Sequence, residues 1–257
     1  MNRIDSIRSI RSSLREGRVS VGSWIQIPDS SVSEIMGDAG YDWVAVDMEH
    51  GSISTHQLPD IFRALELGGT LPLVRLAQGQ ERDCKTALDA GAGGVIVPMV
   101  VSAHQLKTVR AGCCWPPSGS RGVGFSRANL FGKRFEVYCE EAQAPLLVAM
   151  IEHVDAINDL DAIAQVPGLD ALLIGPYDLS ASMGLTGRFE HPEFGTLISK
   201  IRHIAAKNQV PCGIHVVEPS PQLLKRRVDE GYLFIAYSID SVILNQGAQR
   251  PTILMRP

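Results

Sequence analysis

The sequence predicts an α/β fold in which eight strands close into a (β/α)8 TIM barrel, and three observations carry this prediction. Short apolar runs alternate with segments of helical periodicity along the whole chain, giving eight strand–helix units. The apolar runs are continuous, as expected for parallel strands that are covered on both faces. The chain has 257 residues, 45% of them apolar and 20% charged, which suffices for one large core. We therefore expect a single barrel domain over residues 1–257.

The elements follow in order from periodicity and from turn residues. Ile4, Ile7 and Leu14 lie at helical spacing, which predicts an extra N-terminal amphipathic helix that closes one end of the barrel. The predicted strands are Ser20–Ile27, Trp43–Val46, Leu71–Val74, Gly94–Val97, Leu146–Ile151, Ala171–Ile174, Pro211–Ile214 and Leu233–Ala236. The predicted helices between them are Val32–Asp38, Gln57–Leu67, Glu81–Ala90, Ala103–Ala111, Ala156–Ala164, Pro192–Asn208 and Pro221–Glu230, and a last helix begins at Ser241. A long loop rich in glycine and proline is expected over residues 114–129, and loops of this length are usually functional or disordered.

Composition limits the classes of function. The net charge of -4, without a long basic block, gives no reason to expect a nucleic-acid partner. No apolar run reaches 18 residues, so no membrane span is expected. Five cysteines without a C-x-x-C spacing favour reduced thiols and a cytoplasmic location over a disulfide framework or a zinc cluster.

Polar side chains gather at the carboxyl ends of the predicted strands, where barrel enzymes carry their catalytic groups. Asp47, Glu49 and His50 follow the second strand, and Arg75 follows the third. Taken singly, each has an ordinary explanation, such as a solvated loop charge or a structural ion pair. The clustering at several strand ends is what indicates an active site.

A metal site is predicted from two further strand ends. Glu152 follows the fifth strand and Asp178 the sixth, and a pair of carboxylates with open positions suits Mg²⁺ or Mn²⁺ together with a chelating ligand. A lyase that acts on keto acids stabilises its carbanion as a lysine imine or as a metal-bound enolate. The six lysines all fall in predicted helices or loops, so the metal route is expected. They are Lys85, Lys107, Lys133, Lys200, Lys207 and Lys225.

Seven ordered segments between residues 20 and 240 match one family. The segments are Asp47-Met48-Glu49-His50, Pro72-Leu73-Val74-Arg75, Leu88-Asp89-Ala90-Gly91-Ala92, Val97-Pro98-Met99-Val100, Pro117-Ser118-Gly119-Ser120-Arg121-Gly122, Ile151-Glu152 and Ile174-Gly175-Pro176-Tyr177-Asp178-Leu179-Ser180. With these motifs the chain resembles the metal-dependent (class II) pyruvate aldolases typified by 4-hydroxy-2-oxoheptanedioate aldolase. The resemblance implies cleavage of a 4-hydroxy-2-oxo acid to pyruvate and an aldehyde, with Mg²⁺, Mn²⁺ or Co²⁺. It also implies a homo-oligomer, usually a hexamer whose C-terminal helix is exchanged between subunits.

Site residues are carried over by position. The resemblance implies Glu152 and Asp178 as metal ligands, His50 as the base and Arg75 as the group that stabilises the enolate oxygen, with Asp47 in the same catalytic group. Asp89 is implied to raise the basicity of His50, which would require contact from a neighbouring subunit. The substrate is expected to be bound by Arg75 and by the segment Gly175, Pro176, Tyr177, Asp178, Leu179 and Ser180.

Two positions depart from the family pattern. Met48 stands where the family often has Gly or Thr, and Met150 stands where the typifying enzyme has a Gln that touches the substrate, so the aldehyde is left open. Two other functions are also left open. One is a related lyase that uses the same enolate, an oxaloacetate decarboxylase or a CoA-thioester lyase. The other is a barrel without catalysis that binds a sugar acid.

Overall fold

The computed structural model describes residues 2–249, and its eight parallel strands form a closed barrel in chain order. The strands are β1 (Ser20–Ile25), β2 (Trp43–Asp47), β3 (Leu71–Arg75), β4 (Gly94–Val97), β5 (Leu146–Ile151), β6 (Ala171–Ile174), β7 (Cys212–Val216) and β8 (Phe234–Tyr237). Each strand pairs with the next, and β8 pairs with β1. The predicted (β/α)8 barrel is confirmed.

The helices surround this barrel. They are α1 (Arg3–Arg15), α2 (Ser30–Asp38), α3 (Leu58–Leu67), α4 (Glu81–Ala90), α5 (Ala103–Cys113), α6 (Phe135–Gln143), α7 (Leu160–Ala164), α8 (Pro176–Ser182), α9 (Pro192–Lys207), α10 (Pro221–Asp229) and α11 (Asp240–Gly247). None of the helices within residues 2–249 combines the length and apolarity needed to cross a bilayer. The predicted C-terminal helix is α11, and any continuation past residue 249 lies outside the described residues.

Large apolar side chains fill the interior of the barrel. The ring of Trp43 on β2 stacks on Phe234 of β8, with centroids 4.4 Å apart and planes at 4°. Trp24 on β1 meets Trp43 edge-on at 6.4 Å. Space for the Trp43 ring exists because β1 has a glycine opposite it, and a Cβ on Gly22 would lie 2.1 Å from Trp43 Cδ2. Packing thus fixes which residues face inward at this level of the barrel.

Helix α1 closes one end of the barrel, as predicted. Its side chains Ile7, Ile10 and Leu14 are buried in the same cluster as Trp43 and Phe234. The strands run from this closed end to the opposite end of the barrel, the mouth, where their carboxyl ends lie. Side chains at the closed end therefore serve packing, and catalytic groups are expected at the mouth.

Three sequence predictions are corrected by the structure. Strand β1 ends at Ile25 and not at Ile27, because the backbone N–H groups of Gln26 and Ile27 donate to the Asp240 carboxylate (2.9 and 3.0 Å). The predicted helix over residues 156–164 is shorter, since a 3-10 helix, Val154–Asn158, precedes α7.

The third correction is that two helices were not predicted. Helix α6 buries Glu141 and Tyr138 against the Arg3 side chain, whose Nε donates to Glu141 Oε1 at 2.7 Å, so tertiary contacts support a segment without an N-cap hydrogen bond. Helix α8 has a proline in its first turn, a helix-start signal, but its seven residues are too few to show periodicity.

The tight fit of Gly22 against Trp43 gives a stability prediction. We expect Gly22→Ala to lower the free energy of unfolding by about 1–3 kcal/mol, because the new Cβ must displace a fully buried indole. Denaturant unfolding measures this. The matched control is Gly195→Ala on α9, where a Cβ meets nothing within 4 Å and should raise stability by about 0.5–1 kcal/mol. Equal effects of the two substitutions would contradict the packing argument.

Candidate active site

A buried ion pair joins the carboxyl ends of β2 and β3. Asp47 and Arg75 are register partners, and the guanidinium donates from Nε to Asp47 Oδ1 (2.8 Å) and from Nη2 to Oδ2 (2.6 Å). Burial by itself would raise the pKa of Asp47, but the hydrogen bonds and charge of Arg75 lower it below its ordinary value. Asp47 is therefore ionised, and its two hydrogen bonds hold the guanidinium in one orientation.

Three further donors occupy the same carboxylate. Gln26 Nε2 donates to Asp47 Oδ2 (2.8 Å), and the backbone N–H groups of Glu49 and His50 donate to Oδ1 (3.1 and 3.2 Å). Both oxygens of Asp47 are engaged, so this carboxylate is poorly placed to bind a cation. Its contacts make it a positioning residue for Arg75 and for the loop that follows β2.

Glu49 and His50 stand beside the free edge of Arg75. Glu49 Oε2 lies 3.1 Å from Arg75 Nη1, although the pair is not aligned as a hydrogen bond. The pKa of Glu49 is raised to about 7, chiefly by burial and also by the charges of Asp47 and Asp178, while the charge of Arg75 opposes this. His50 Nε2 is 3.9 Å from Glu49 Oε2, and the His50 side chain is 55% exposed. An imidazole that is open to solvent beside a carboxyl group is a candidate for proton transfer.

Glu152 lies at the end of β5 with its side chain buried. Its Oε1 accepts the backbone N–H of Met99 (2.8 Å), whereas Oε2 has no hydrogen-bond partner among the described residues. Met99 adopts a φ of 48°, a left-handed conformation that is uncommon outside glycine and that accompanies this N–H contact. The pKa of Glu152 is raised to about 7, chiefly by burial and also by the charges of Glu49 and Asp178, while the Met99 N–H and the charge of Arg75 oppose this.

Gly175 and Asp178 complete the mouth on the side of β6. A Cβ on Gly175 would lie 2.5 Å from Glu152 Oε2, so a glycine is required for the carboxylate to occupy its place. Asp178 is exposed in the first turn of α8, and its charge acts on both Glu49 and Glu152. Three carboxylates therefore share the mouth with one guanidinium that Asp47 already pairs.

This excess of negative charge and the unpartnered Glu152 Oε2 fit a divalent cation. Within residues 2–249, no group of three or more His, Cys, Asp or Glu side chains is arranged to hold an ion by itself. The predicted ligand pair, Glu152 and Asp178, is smaller than such a group, and water and substrate oxygens commonly complete the coordination of Mg²⁺.

Two groups of predicted residues do not meet at this site. Asp89 on α4 lies 3.7 Å from Arg121 Nη1, and in the described part of the chain no ion pair joins it to His50. Its proposed effect on His50 stays a prediction that needs a second subunit. Leu179 and Ser180 are buried, and Ser180 Oγ donates to Tyr177 O (2.8 Å), so any contact of these two residues with substrate would come from their backbone.

The sequence analysis gave no role to Gln26, Trp24 or Met99, and it named Glu49 only as one of the polar residues at a strand end. Gln26 holds Asp47, Trp24 lies under Arg75 with the guanidinium carbon 4.8 Å from its ring centroid, Met99 holds Glu152, and Glu49 contacts Arg75. Gln26 and Glu49 had one available signal, their position at strand ends. The hydrogen bond to Met99 is made by backbone, which no side-chain pattern reveals.

Comparison with known proteins agrees with this geometry. Residues 20–246 match the family model described as HpcH/HpaI aldolase/citrate lyase. The chain belongs to the HpcH/HpaI family. It is 34% identical to a hydroxypyruvate/pyruvate aldolase of Roseobacter denitrificans, over 94% of each chain. It is 35% identical to a 4-hydroxy-2-oxovalerate aldolase of Novosphingobium aromaticivorans, over 94% of this chain and 92% of that one.

A solved structure supports the same assignment. The crystal structure of a family member from Burkholderia cenocepacia superimposes with a TM-score of 0.87 at 29% identity, covering 93% of this chain and 95% of that one. The protein is therefore an aldolase, a carbon–carbon lyase, on a (β/α)8 barrel.

The buried carboxyl of Glu152 gives a pH prediction for this aldolase. The pKa of Glu152 rises from 4.5 to about 7 on folding, so between these pH values the native state keeps a proton that the unfolded state has lost. The free energy of unfolding in EDTA should therefore fall as pH increases through this window, and remain level above it.

Glu152→Gln should remove this contribution. Relative to wild type, the variant should gain about 3 kcal/mol between pH 4.5 and pH 8, since one pKa unit corresponds to about 1.36 kcal/mol. Urea unfolding at the two pH values measures the gain. The control is Glu136→Gln, on the exposed surface of α6, which should follow wild type at both values. The prediction is contradicted if the free energy of unfolding of the wild type rises with pH and Glu152→Gln shows no gain relative to it. Ionisation of Glu152 would then cost the native state no stability.

Proposed function

We propose that this protein is a divalent-metal-dependent aldolase that cleaves a 4-hydroxy-2-oxo acid to pyruvate and an aldehyde. One observation carries the proposal. The mouth holds Glu152 with an unpartnered buried oxygen beside Arg75, whose guanidinium is fixed by Asp47. The names of the two relatives above, both aldolases of 2-oxo acids, support the same substrate class.

Glu152 and Asp178 would hold the cation, for which Mg²⁺, Mn²⁺ or Co²⁺ is suitable. A bound divalent ion supplies an electrophile that polarises the 2-oxo group of the substrate and offsets the negative charge of the carboxylates. Gly175 leaves the space that Glu152 needs, and the Met99 N–H orients the carboxylate from its other oxygen.

Arg75 stabilises the charge that develops on the C2 oxygen when the C3–C4 bond breaks. Its Nε and Nη2 are committed to Asp47, so the Nη1 edge near Glu49 is the part directed at the mouth. A donor held rigid before the reaction needs no reorganisation during it, which is the basis of electrostatic stabilisation. Asp47 and Gln26 contribute by orienting Arg75.

His50 removes the proton from the C4 hydroxyl. The C4 oxygen then becomes the aldehyde carbonyl, the electrons of the C3–C4 bond pass to the C2 oxygen, and C3 is protonated to give pyruvate. Glu49 Oε2 lies 3.9 Å from His50 Nε2, so this carboxyl group is the acid nearest to the proposed base at the mouth. In the reverse direction the same groups would join pyruvate to an aldehyde.

An imine mechanism finds no support in the positions of the lysines. All six belong to the described residues, and each lies on a helix or in the turn before α6. None follows a strand at the mouth.

We also propose that the active form is a homo-oligomer. Large apolar side chains are exposed in and after the loop that follows α5, with Phe125 74% and Phe131 67% accessible. Exposed apolar groups of this size favour contact with another chain. Light scattering should give a multiple of the monomer mass, and a monomer that is fully active would contradict both this proposal and the predicted role of Asp89.

Metal dependence is the first prediction from this function. EDTA should abolish cleavage of 4-hydroxy-2-oxo acids, and Mn²⁺ should restore it, while borohydride with pyruvate should leave the enzyme active. Glu152→Gln and Asp178→Asn should each weaken Mn²⁺ binding in calorimetry by at least about tenfold. Asp161→Asn, a surface substitution at the ion pair with Lys207, is the matched control. Covalent trapping of pyruvate on a lysine would overturn the mechanism.

The second prediction concerns the base. His50→Ala should reduce kcat for aldol cleavage by roughly 10², the usual scale for loss of a general base. Exchange of the pyruvate methyl protons with solvent should be reduced less, because it does not involve the C4 hydroxyl. His104→Ala, on the exposed side of α5, should change neither rate. Unchanged cleavage in the His50 variant would transfer the role of base to Glu49.

A second candidate activity is that of a related lyase that uses the same enolate, an oxaloacetate decarboxylase or a CoA-thioester lyase, and the family description, which names citrate lyase beside the aldolases, keeps such a lyase under consideration. Supplying oxaloacetate and a 4-hydroxy-2-oxo acid separately, and measuring pyruvate, distinguishes the decarboxylase from the aldolase. Faster release of pyruvate from oxaloacetate would favour the decarboxylase.

A further inference from the structure

Two polar side chains at the ends of β7 and β8 take no part in the mechanism above. His215 lies on β7 opposite Ala236, and Ser238 directly follows β8. Nε2 of His215 and Oγ of Ser238 are both buried, and neither has a hydrogen-bond partner among residues 2–249. Buried polar atoms are rarely left unpaired, because losing their hydrogen bonds to water is costly. Two such atoms on adjacent strands indicate a ligand.

His215 belongs to the same end of the barrel as the catalytic group. Its ring centroid is 5.5 Å from that of Trp24, and the Arg75 guanidinium lies 4.8 Å from the Trp24 ring. Burial and then the charge of Arg75 lower the pKa of His215 to about 3, while the backbone of Ser238 and the charge of Asp47 oppose this. The imidazole is therefore neutral in the working range of pH.

A neutral imidazole has one nitrogen that donates a hydrogen bond and one that accepts. Nε2 of His215 has no hydrogen-bond partner among residues 2–249, so this atom is open to a ligand, as donor or as acceptor according to the tautomer. The hydroxyl of Ser238, which directly follows the neighbouring strand, can likewise donate or accept. Together the two groups can supply the one donor and one acceptor that a ligand hydroxyl group needs.

The backbone at Ser238 supports a functional role. Its φ is 55°, in the left-handed region where a side chain is unfavourable and glycine is preferred. Residues in such conformations cluster at functional sites. A serine here costs stability and leaves its own hydroxyl unpaired, so the fold by itself gives no reason for it.

We propose that His215 and Ser238 form a subsite that binds a hydroxyl group of the substrate, so that the enzyme favours hydroxylated substrates over their deoxy analogues. This inference rests on the proposed aldolase function. The hydroxyl has two possible sources, C3 of the 2-oxo acid or the carbon next to the carbonyl of the aldehyde. The chemistry of recognition is the same for both.

Two matched substrate pairs test the subsite and distinguish the sources. The first pair is hydroxypyruvate and pyruvate with acetaldehyde as acceptor, and the second is glycolaldehyde and acetaldehyde with pyruvate as donor. In one of the two pairs, the kcat/KM of the wild type should be higher for the hydroxylated compound, and the pair in which this occurs identifies the source of the hydroxyl. His215→Phe, which keeps a ring against Trp24, should reduce this preference by about tenfold, the scale of one hydrogen bond. His215→Gln restores a side-chain donor and acceptor and should recover part of it.

Ser238→Gly is a second test variant. It introduces no backbone strain, because glycine suits a φ of 55°. It should keep or raise Tm and still lower the preference for the hydroxylated substrate. His104→Phe, an exposed histidine of α5, should leave the preference unchanged. The proposal is overturned if wild type shows no preference in either pair, or if the preference survives in folded His215→Phe and Ser238→Gly enzymes.

Failure of the aldolase function itself would appear differently, as absence of metal-dependent turnover with all four substrates. In that case calorimetry still decides on the subsite. In one of the two pairs, hydroxypyruvate against pyruvate or glycolaldehyde against acetaldehyde, the hydroxylated compound should bind wild type more tightly, and Ser238→Gly should remove the difference. Equal binding within both pairs would overturn the subsite.

Discussion

The buried ion pair between Asp47 and Arg75 is the interaction on which the geometry of the mouth depends. A guanidinium taken out of water needs a carboxylate beside it, and removing either partner would leave an uncompensated buried charge. Gln26 connects this pair to the C-terminal part of the chain. Its Nε2 donates to Asp47, and its Oε1 accepts from Ser241 Oγ (3.1 Å) at the start of α11. The orientation of Arg75 is thus determined by residues from both ends of the chain.

The remaining charges are unbalanced around this fixed pair. Glu49 and Glu152 both have a pKa raised to about 7, first because burial opposes their ionisation. Asp47 also repels Glu49, Glu49 repels Glu152, and Asp178 repels both. Like charges held together in this way are stabilised when a cation binds between them. The same feature that destabilises the protein at neutral pH therefore suits the divalent cation proposed above.

Stability and reactivity are separated along the barrel axis. At the closed end, Trp43, Phe234 and the apolar face of α1 pack against one another. At the mouth, the unpartnered atoms of Glu152, His215 and Ser238 are held by strands that this packing makes rigid. A site whose groups are fixed before substrate arrives loses little in ordering them during the reaction.

The sequence by itself determined the barrel and most strand positions, and it located the candidate site at the strand ends, because apolar period, turn residues and strand-end polarity are local properties that a linear reading detects. Asp47, Glu49, His50, Arg75 and Glu152 could all be placed at strand ends in this way. The tertiary structure decided which of them bind each other. Strand register and barrel closure determine that Asp47 orients Arg75 and is not free for a metal ion. They also determine that a backbone N–H from the segment after β4 reaches Glu152. The same holds for His215 and Ser238, which lie on adjacent strand ends with side-chain atoms that find no partner among residues 2–249. Register and closure bring together residues far apart in the chain, and no spacing within the sequence encodes the distances between them.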